Sequence, residues 1–462
     1  MIDYIKMYGL HNEMDISLEF NSPIKIIIGD NGSGKTTVLN ALYYILTKNF
    51  SKLMDLNFHK IEFKFTDSDE FVISKKDLYI RWSTKDFKHA AIRDFSNYLS
   101  EIEVSELLSY AYAYSNEDNG FSKIKNKYSF QVLIKKSRYD EKEIFDRLRF
   151  MVHKNKPQEL SMNGSKNENG FFDDSGSRNI HNIKEIITDN VKGEVLYLPT
   201  YRRVEEAIKN FGGFDGESIS KSTLIKFGME DVDQRFKKIQ RELKDSAVKL
   251  YSNLNGKMLT QLASTQKASD EDFLKIENTD ALKIVFARVG DSISRDTEEN
   301  IFSLIDQGHI KQERYHPLVF VLSNLIDVYD EQKKTDESIK SFIEVANKYL
   351  VKKEFIYDEN NVEISVINKK SRNVVTLENL SSGEKQLLSL FSLLYLEKED
   401  DYIVIFDEPE LSLSIEWQEM LLPDMLKSGK CKFLVAATHS PFIFDNELDC
   451  KTGIIEVIKE YS

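Results

Sequence analysis

Cysteine is nearly absent, with only Cys431 and Cys450 in 462 residues. Two thiols cannot build a disulfide framework, and no zinc-ligand spacing is present. Long apolar runs are missing too. The longest, over 387–396, is interrupted by serines and falls short of the roughly 18–20 residues a membrane span needs. The N-terminus, MIDYIKMYGL, has no basic stretch leading into an apolar one, so no secretory leader is read there. A basic excess is also lacking: 63 Lys and Arg stand against 76 Asp and Glu, a net charge of −13. Dedicated nucleic-acid binders usually carry a basic footprint. The acidic total therefore lowers DNA as the main ligand and raises protein partners, although a local basic groove stays compatible with it. These absences lead us to expect a cytoplasmic chain with no membrane partner.

What remains is 41% hydrophobic and 30% charged, on a length that fits two or three domains or one large core with insertions. The stretch 376–442 organises the rest. Leu380-Ser381-Ser382-Gly383-Glu384-Lys385-Gln386 is a polar turn opening onto an apolar helix. Ile403-Val404-Ile405-Phe406 is a buried-type strand ending in Asp407-Glu408, and Phe433 to Thr438 is a second one ending in His439. Functional residue types at the C-terminal ends of such strands are what open α/β sheets use for ligands.

The phosphate cradle lies far upstream. Strands are expected at 2–8, 13–20 and 24–28, and the third runs into Gly29-Asp30-Asn31-Gly32-Ser33-Gly34-Lys35-Thr36. Residues 37–47 then show helical apolar spacing. Strand, glycine loop and helix together make a GxxxxGK[ST] match a P-loop. Its backbone N–H groups, from Asp30 and Asn31 through Ser33 to Thr37, would point into one concavity with the helix N-terminus behind it. Lys35 would meet the β- and γ-phosphates, and Thr36 would offer its hydroxyl to Mg²⁺. Asp407 suits a contact to the same metal, and Glu408 suits orienting or deprotonating a water in line with the γ-phosphate. An isolated His439 would more often be structural; beside these motifs a γ-phosphate contact is the stronger reading.

Elsewhere the signals are weaker. Residues 60–66 and 70–75 read as a hairpin, 86–155 as mainly helical with a strand at 129–135, and 154–178 as a mobile loop. A strand at 195–199 delivers Thr200-Tyr201-Arg202-Arg203, where a solvated basic turn is as good a reading as a nucleotide contact. Residues 217–352 read as helical, with apolar stripes at Phe236, Ile239, Leu243, Ala247, Leu250 and Leu254 and at Ile339, Phe342, Ile343, Ala346 and Leu350. Such stripes are usually core, with a helical interaction arm as the alternative. Lys123, Lys125, Lys127, Lys135, Lys136 and Arg138 form a basic cluster, more often a solvated face than a binding patch.

With these motifs quoted, the chain resembles ABC-type ATPases. LSSGEKQ is similar to their signature, IVIFDEPE to their Walker B and ATHSP to their His switch. The order, with GDNGSGKT near the start, resembles the head domains of RecF, the SMC proteins and their relatives. The likeness covers about 1–85 and 355–462. Within that group, DEPELSLSIEWQ and THSPF look most like the stand-alone anti-phage ATPases related to the OLD family. The YLPTYRR and FGMEDV stretches are similar to AriA-type ATPases of PARIS systems, with PtuA-type ATPases of Septu and retron systems next. Two departures count: Ser414 stands where that group often has histidine, and no Toprim domain is expected after the head.

The resemblance implies a P-loop α/β fold: an ABC-type head with a mixed sheet core, an N-terminal antiparallel β lobe and a helical insertion. The expected segments are 1–85 and 353–462 as the two halves of the head, 86–204 as a mixed insertion rejoining it at 195–203, and 205–352 as a helical insertion. The resemblance also implies two ATPs sandwiched between two heads. Ser381, Ser382, Gly383 and Glu384 of one copy would then meet the γ-phosphate at Lys35 of the other, and Leu411 and Ser412 would form the D-loop. A Q-loop glutamine is expected between 86 and 200, with Gln131 the best match. The resulting expectation is a Mg-ATP-dependent, slowly turning-over ATPase, a head-to-head dimer or higher homo-oligomer. It would act as sensor and scaffold in anti-phage defence, restraining a separate nuclease effector until a phage-encoded trigger frees it. A RecF-like clamp on DNA is the alternative, and a transport ATPase ranks last.

Overall fold

The strand pattern that opens the chain, with apolar residues alternating along IDYIKMYGL and MDISLE, gives β1 (Ile2–Leu10) and β2 (Met14–Glu19). With β4 (Lys60–Phe65), β5 (Phe71–Ser74) and β12 (Glu456–Glu460) they form an antiparallel sheet in the order β12-β2-β1-β4-β5. A second set reads as near-continuous apolar runs, the mark of strands buried on both faces. These are β3 (Ile24–Ile28), β6 (Glu194–Leu198), β9 (Tyr402–Asp407) and β10 (Cys431–Thr438). Joined by β11 (Thr452–Ile454), they lie in the order β11-β3-β10-β9-β6, and every pairing among them is parallel. The core sheet is thus parallel where a mixed one was expected, and its unit's antiparallel pairings lie in the lobe sheet. The computed structural model describes residues 1–30, 32–79, 92–114, 124–154, 175–199, 229–263, 267–289, 293–398 and 401–461.

Register sets the site. Thr438 lies opposite Ile28, and Ala437 lies opposite Asp407, so β3, β9 and β10 end level with one another. The residues that follow, Gly29, Glu408 and His439, therefore emerge along one edge. α1 (Lys35–Leu46) packs behind that edge through Val38, Leu39, Ala41, Leu42 and Ile45, and Tyr43 stacks on Tyr197 of β6 at 5.1 Å.

These elements belong to the first of two units, which holds Met1–Leu224, Asp401–Leu422 and Cys431–Ser462. It also includes α2 (Phe50–Leu53), α3 (Glu101–Ala113), α4 (Tyr128–Lys136), α5 (Glu141–Lys154) and α6 (Ser175–Asn190). The strand expected at 129–135 is α4. Its β-branched Val132 and Ile134 favour a strand, but Phe130 and Leu133, three apart, are the fully buried pair, and helix packing overrides the propensity. The expected loop 154–178 lies mostly outside the described residues, while Ser175–Asn190 is helical.

The second unit, Ile225–Asp400 with Pro423–Lys430, is built on α7 (Met229–Ala263) and α11 (His316–Lys348). Between them lie α8 (Asp270–Ile276), α9 (Thr279–Val289) and α10 (Arg295–Asp306). The hairpin β7 (Lys353–Asp358) and β8 (Glu363–Asn368) follows, then α12 (Ser382–Leu396). Phe236 of α7, Phe342 of α11 and Phe355 of β7 meet edge to face, with centroids 5.4–6.0 Å apart. The apolar stripes at 236–243 and 339–350 are therefore core. The side chains of Ala247, Leu250 and Leu254 are outside the described set. α13 (Ile415–Lys427) runs through the division, which falls between Leu422 and Pro423.

Candidate active site

The loop from β3 to α1 leaves a helix end open. Gly34 is the N-cap of α1 at φ 84°, no side chain caps the helix, and its first turn has no acid. The first N–H groups of a helix lack intrahelical acceptors, and the helix dipole makes that end electropositive. An uncapped, acid-free N-terminus is an anion site. The left-handed turn at Gly34 needs glycine, since a Cβ there would be strained and only 3.0 Å from Leu10 Cδ2. Gly32, at φ 88°, faces open space.

Lys35 is only 6% exposed, and its ammonium donates to Gly29 O at 2.6 Å and Asp30 O at 2.8 Å. Burial pulls this ammonium below its ordinary pKa. The nearby carboxylates of Glu408, Asp407, Asp30 and Glu410 oppose the shift without cancelling it. The side chain is folded back on its own loop, within reach of the helix end. Ser33 Oγ is buried and finds no hydrogen-bond partner among the described residues. Asn31 lies outside them. Thr36 Oγ1 donates to Asp407 Oδ1 at 3.3 Å, and Asp407 is 1% exposed at the end of β9. Hydroxyl and carboxylate oxygens side by side are hard donors that suit Mg²⁺. Among the described residues no cluster of three His, Cys, Asp or Glu could hold a metal alone.

Glu408 is half-buried and sits at φ 52°, a left-handed conformation that costs a non-glycine residue roughly 1–2 kcal/mol. Its N–H donates to Ala437 O at 2.8 Å, so the sheet ladder holds the strained residue in place. Such strain concentrates at functional positions. Leu411 and Ser412 are exposed, with Ser412 also left-handed at φ 65°. Ser414 is exposed and opens α13, its carbonyl accepting Gln418 N–H at 3.0 Å.

His439 is exposed at the end of β10, and its N–H donates to Glu410 Oε1 at 2.7 Å. Glu410 has no expected role in the sequence. The same is true of Gln418, which accepts from Ser440 Oγ at 2.6 Å, and of His11, whose Nε2 lies 3.5 Å from Thr37 Oγ1. In Asp407-Glu408-Pro409-Glu410 the first two acids absorb the chemistry a reader looks for, and the third is passed over. Gln131 is not brought to this edge; its amide donates to Lys125 O at 2.8 Å. Arg202 and Arg203 lie outside the described residues.

The signature segment belongs to the second unit and is built differently. Ser381 caps α12, accepting Glu384 N–H at 3.3 Å, while Glu384 Oε2 accepts Ser381 N–H at 2.7 Å. Lys353 pairs with Glu384 at 3.0 Å and donates to Asn379 O at 3.2 Å. Glu384 is thereby buried and turned inward, and Ser382 is exposed.

The parallel sheet, the P-loop and the acids on the neighbouring strand end define a P-loop ATPase head of the ABC type. The chain belongs to the AAA ATPase domain family, whose model matches residues 4–444. It is similar to the DNA replication and repair protein RecF of Azobacteroides pseudotrichonymphae, at 39% identity over 64 residues. It is likewise similar to that of Clostridium kluyveri, at 40% over 43 residues. Those alignments cover 13% and 9% of this chain and only 18% and 12% of the relatives' lengths. Among solved structures, it is similar to the Smc head domain with an extended coiled coil, bound to the C-terminal domain of ScpA, from Pyrococcus furiosus. That alignment has 14% identity and a TM-score of 0.31, and it covers 100% of this chain and 96% of the other. The Smc head domain with a coiled coil and joint from Pyrococcus yayanosii gives 14% and 0.31, over 99% and 96%. At those scores neither alignment assigns a residue's role here. No helix among the described residues is long and apolar enough to cross a membrane.

Proposed function

We propose that this chain binds Mg-ATP at the loop between β3 and α1, pairs head to head with a second copy through that nucleotide, and hydrolyses it. One observation carries the reading: an uncapped, acid-free helix end shares a sheet edge with buried Lys35, Asp407 and strained Glu408. The backbone from Asp30 to Thr37 cradles the phosphates, and Lys35 exchanges two carbonyls for phosphate oxygens. Burial with only neutral acceptors makes that exchange favourable. Mg²⁺, held by Thr36 and Asp407, would neutralise charge on the transferring phosphoryl group. Glu408 takes a proton from the attacking water, and His439 contacts the γ-phosphate. Ser381, Ser382 and Gly383 of the second copy close the site, with Glu384 holding their helix end in shape.

In the reading we favour, the ATP-closed assembly is a cytoplasmic scaffold in anti-phage defence that restrains a nuclease effector until a phage product releases it. The net charge of −13 supports a protein partner. Within the basic cluster, Lys125, Lys127 and Arg138 face Glu141, Asp55 and Asp94, while Lys135 and Lys136 are exposed. Lys123 lies outside the described residues. The RecF alignments favour a second reading, an ATP-dependent clamp on duplex DNA. Mass-resolved sizing of Glu408→Gln with Mg-ATP, with and without duplex DNA, separates them. ATP-dependent oligomers indifferent to DNA support the scaffold, and a dimer formed only with DNA supports the clamp. A size that ATP leaves unchanged sinks the sandwich.

A further inference from the structure

A closed ring of hydrogen bonds lies beside the site. Glu410 Oε1 accepts the N–H of His439 at 2.7 Å and of Ser440 at 3.2 Å, and its Oε2 accepts Thr438 Oγ1 at 2.8 Å. Ser440 Oγ donates to Gln418 Oε1 at 2.6 Å, and Gln418 Nε2 donates to Leu413 O at 3.0 Å. Leu413 N–H returns to Glu410 O at 3.1 Å. One carboxylate thus takes three donors from Thr438, the last residue of β10, and the two residues that follow it, and its own backbone closes the circuit around Leu411 and Ser412. Thr438 is fully buried, whereas His439 is exposed and its ring makes no hydrogen bond among the described residues. Whatever aims His439 acts through its backbone.

We infer that Glu410 is the positioning residue for His439, holding the end of β10 and the turn at 411–413 as one rigid piece. A carboxylate accepting backbone N–H groups makes short, charge-assisted bonds, and two such bonds on consecutive residues fix the peptide plane from which the imidazole projects. Glu410 touches neither water nor phosphate in this scheme, so it acts on turnover through His439. The inference rests on the ATPase reading for its kinetic consequences but not for its structural one.

The test uses the full chain carrying Glu410→Ala, Glu410→Gln, His439→Ala and the Ala/Ala double variant. Amide exchange of the peptide containing Thr438–Ser440 comes first. Protection should be lost in Glu410→Ala and kept in Glu410→Gln, whose amide oxygen still accepts both N–H groups. Equal exchange in the alanine variant and the parent overturns the clamp, whether or not the chain hydrolyses ATP. For turnover, Glu410→Ala should lower kcat by about tenfold or more with KM within about threefold, and Glu410→Gln should restore most of it. The double variant should be no slower than His439→Ala alone, because both changes remove one function. Additive losses, or a loss residing in KM, overturn the positioning role. If Glu410→Ala does not fold, Glu410→Asp, one methylene too short to span Thr438 and Ser440, carries the same expectations. A parent that hydrolyses no ATP would defeat the proposed function while the exchange result still decides the clamp.

Discussion

Two helix N-termini among the described residues, those of α1 and α12, are finished in opposite ways. α1 starts from left-handed Gly34, with no side-chain cap and no first-turn acid. α12 starts from extended Ser381, whose hydroxyl and Glu384 complete a reciprocal capping box that Lys353 braces. Capping an exposed helix end is worth about 1 kcal/mol, so an end left bare forgoes stability that a single serine could supply. On the proposed function, the difference marks which end would take a ligand of its own chain. α1 keeps its donors unspent. α12 spends the Ser381 and Glu384 N–H groups internally and leaves exposed Ser382 as its outward group.

The largest effect should come from emptying the open end of its cation. Lys35→Ala removes a buried ammonium whose hydrogen bonds among the described residues go to two carbonyls, so the melting temperature should hold or rise slightly. ATP affinity should drop about a hundredfold, the loss of roughly 3 kcal/mol in charge-assisted bonds to phosphate. Titration with a fluorescent ATP analogue, alongside a thermal melt, checks both. A variant that melts early yet binds ATP normally would make Lys35 a structural residue and break the comparison.

Next is the closed end. Ser381→Ala should cost about 1 kcal/mol, a fall of roughly 2–4 °C in the melting of its unit, with ATP affinity of the monomer unchanged within about twofold. On the proposed sandwich, ATP-dependent dimerisation should weaken, since the helix end that would face the partner nucleotide frays. Weakened ATP binding at concentrations where the chain stays monomeric would mean that the two ends do not differ as described.

The open end was legible in the sequence because its chemistry is local. Gly29 to Thr36 are contiguous in the chain, and the apolar runs on either side predict the strand before the loop and the helix after it. Asp407, Glu408 and His439 were legible because each closes an apolar run, and parallel register brings such ends level whatever the intervening chain does. Glu410, Gln418 and Lys353 were not, because each acts through a long-range bond that neither spacing nor periodicity encodes. Lys353 reaches Glu384 across 31 positions, and Glu410 meets Thr438 across 28. The strand expected at 129–135 failed for a related reason. Val132 and Ile134 carry a local preference, whereas the decision rests with the core that buries Phe130 and Leu133.

The smallest effect tests the brace on the closed end. Burial alone would raise the Glu384 carboxyl, but the Ser381 N–H, the Lys353 ammonium and the Ser381 hydroxyl outweigh it and hold the group below the ordinary carboxylate range. A carboxyl depressed in the folded state contributes stability that is complete above its unfolded pKa, about 4.3, and that disappears as pH falls through the lower folded value. Glu384→Gln keeps the capping box, since glutamine serves at that position, and removes only the charge. Its cost at neutral pH should therefore stay under about 1 kcal/mol, as expected for a single ion pair. Melting curves of the parent and Glu384→Gln should differ most near pH 7 and converge on acidification below the carboxylate range. Lys353→Met should show the same convergence with a smaller gap, because Ser381 still holds the carboxylate. A gap that widens on acidification would place the shift in the opposite direction, and Glu384 would then be a strained acid kept for the nucleotide rather than a brace for the helix.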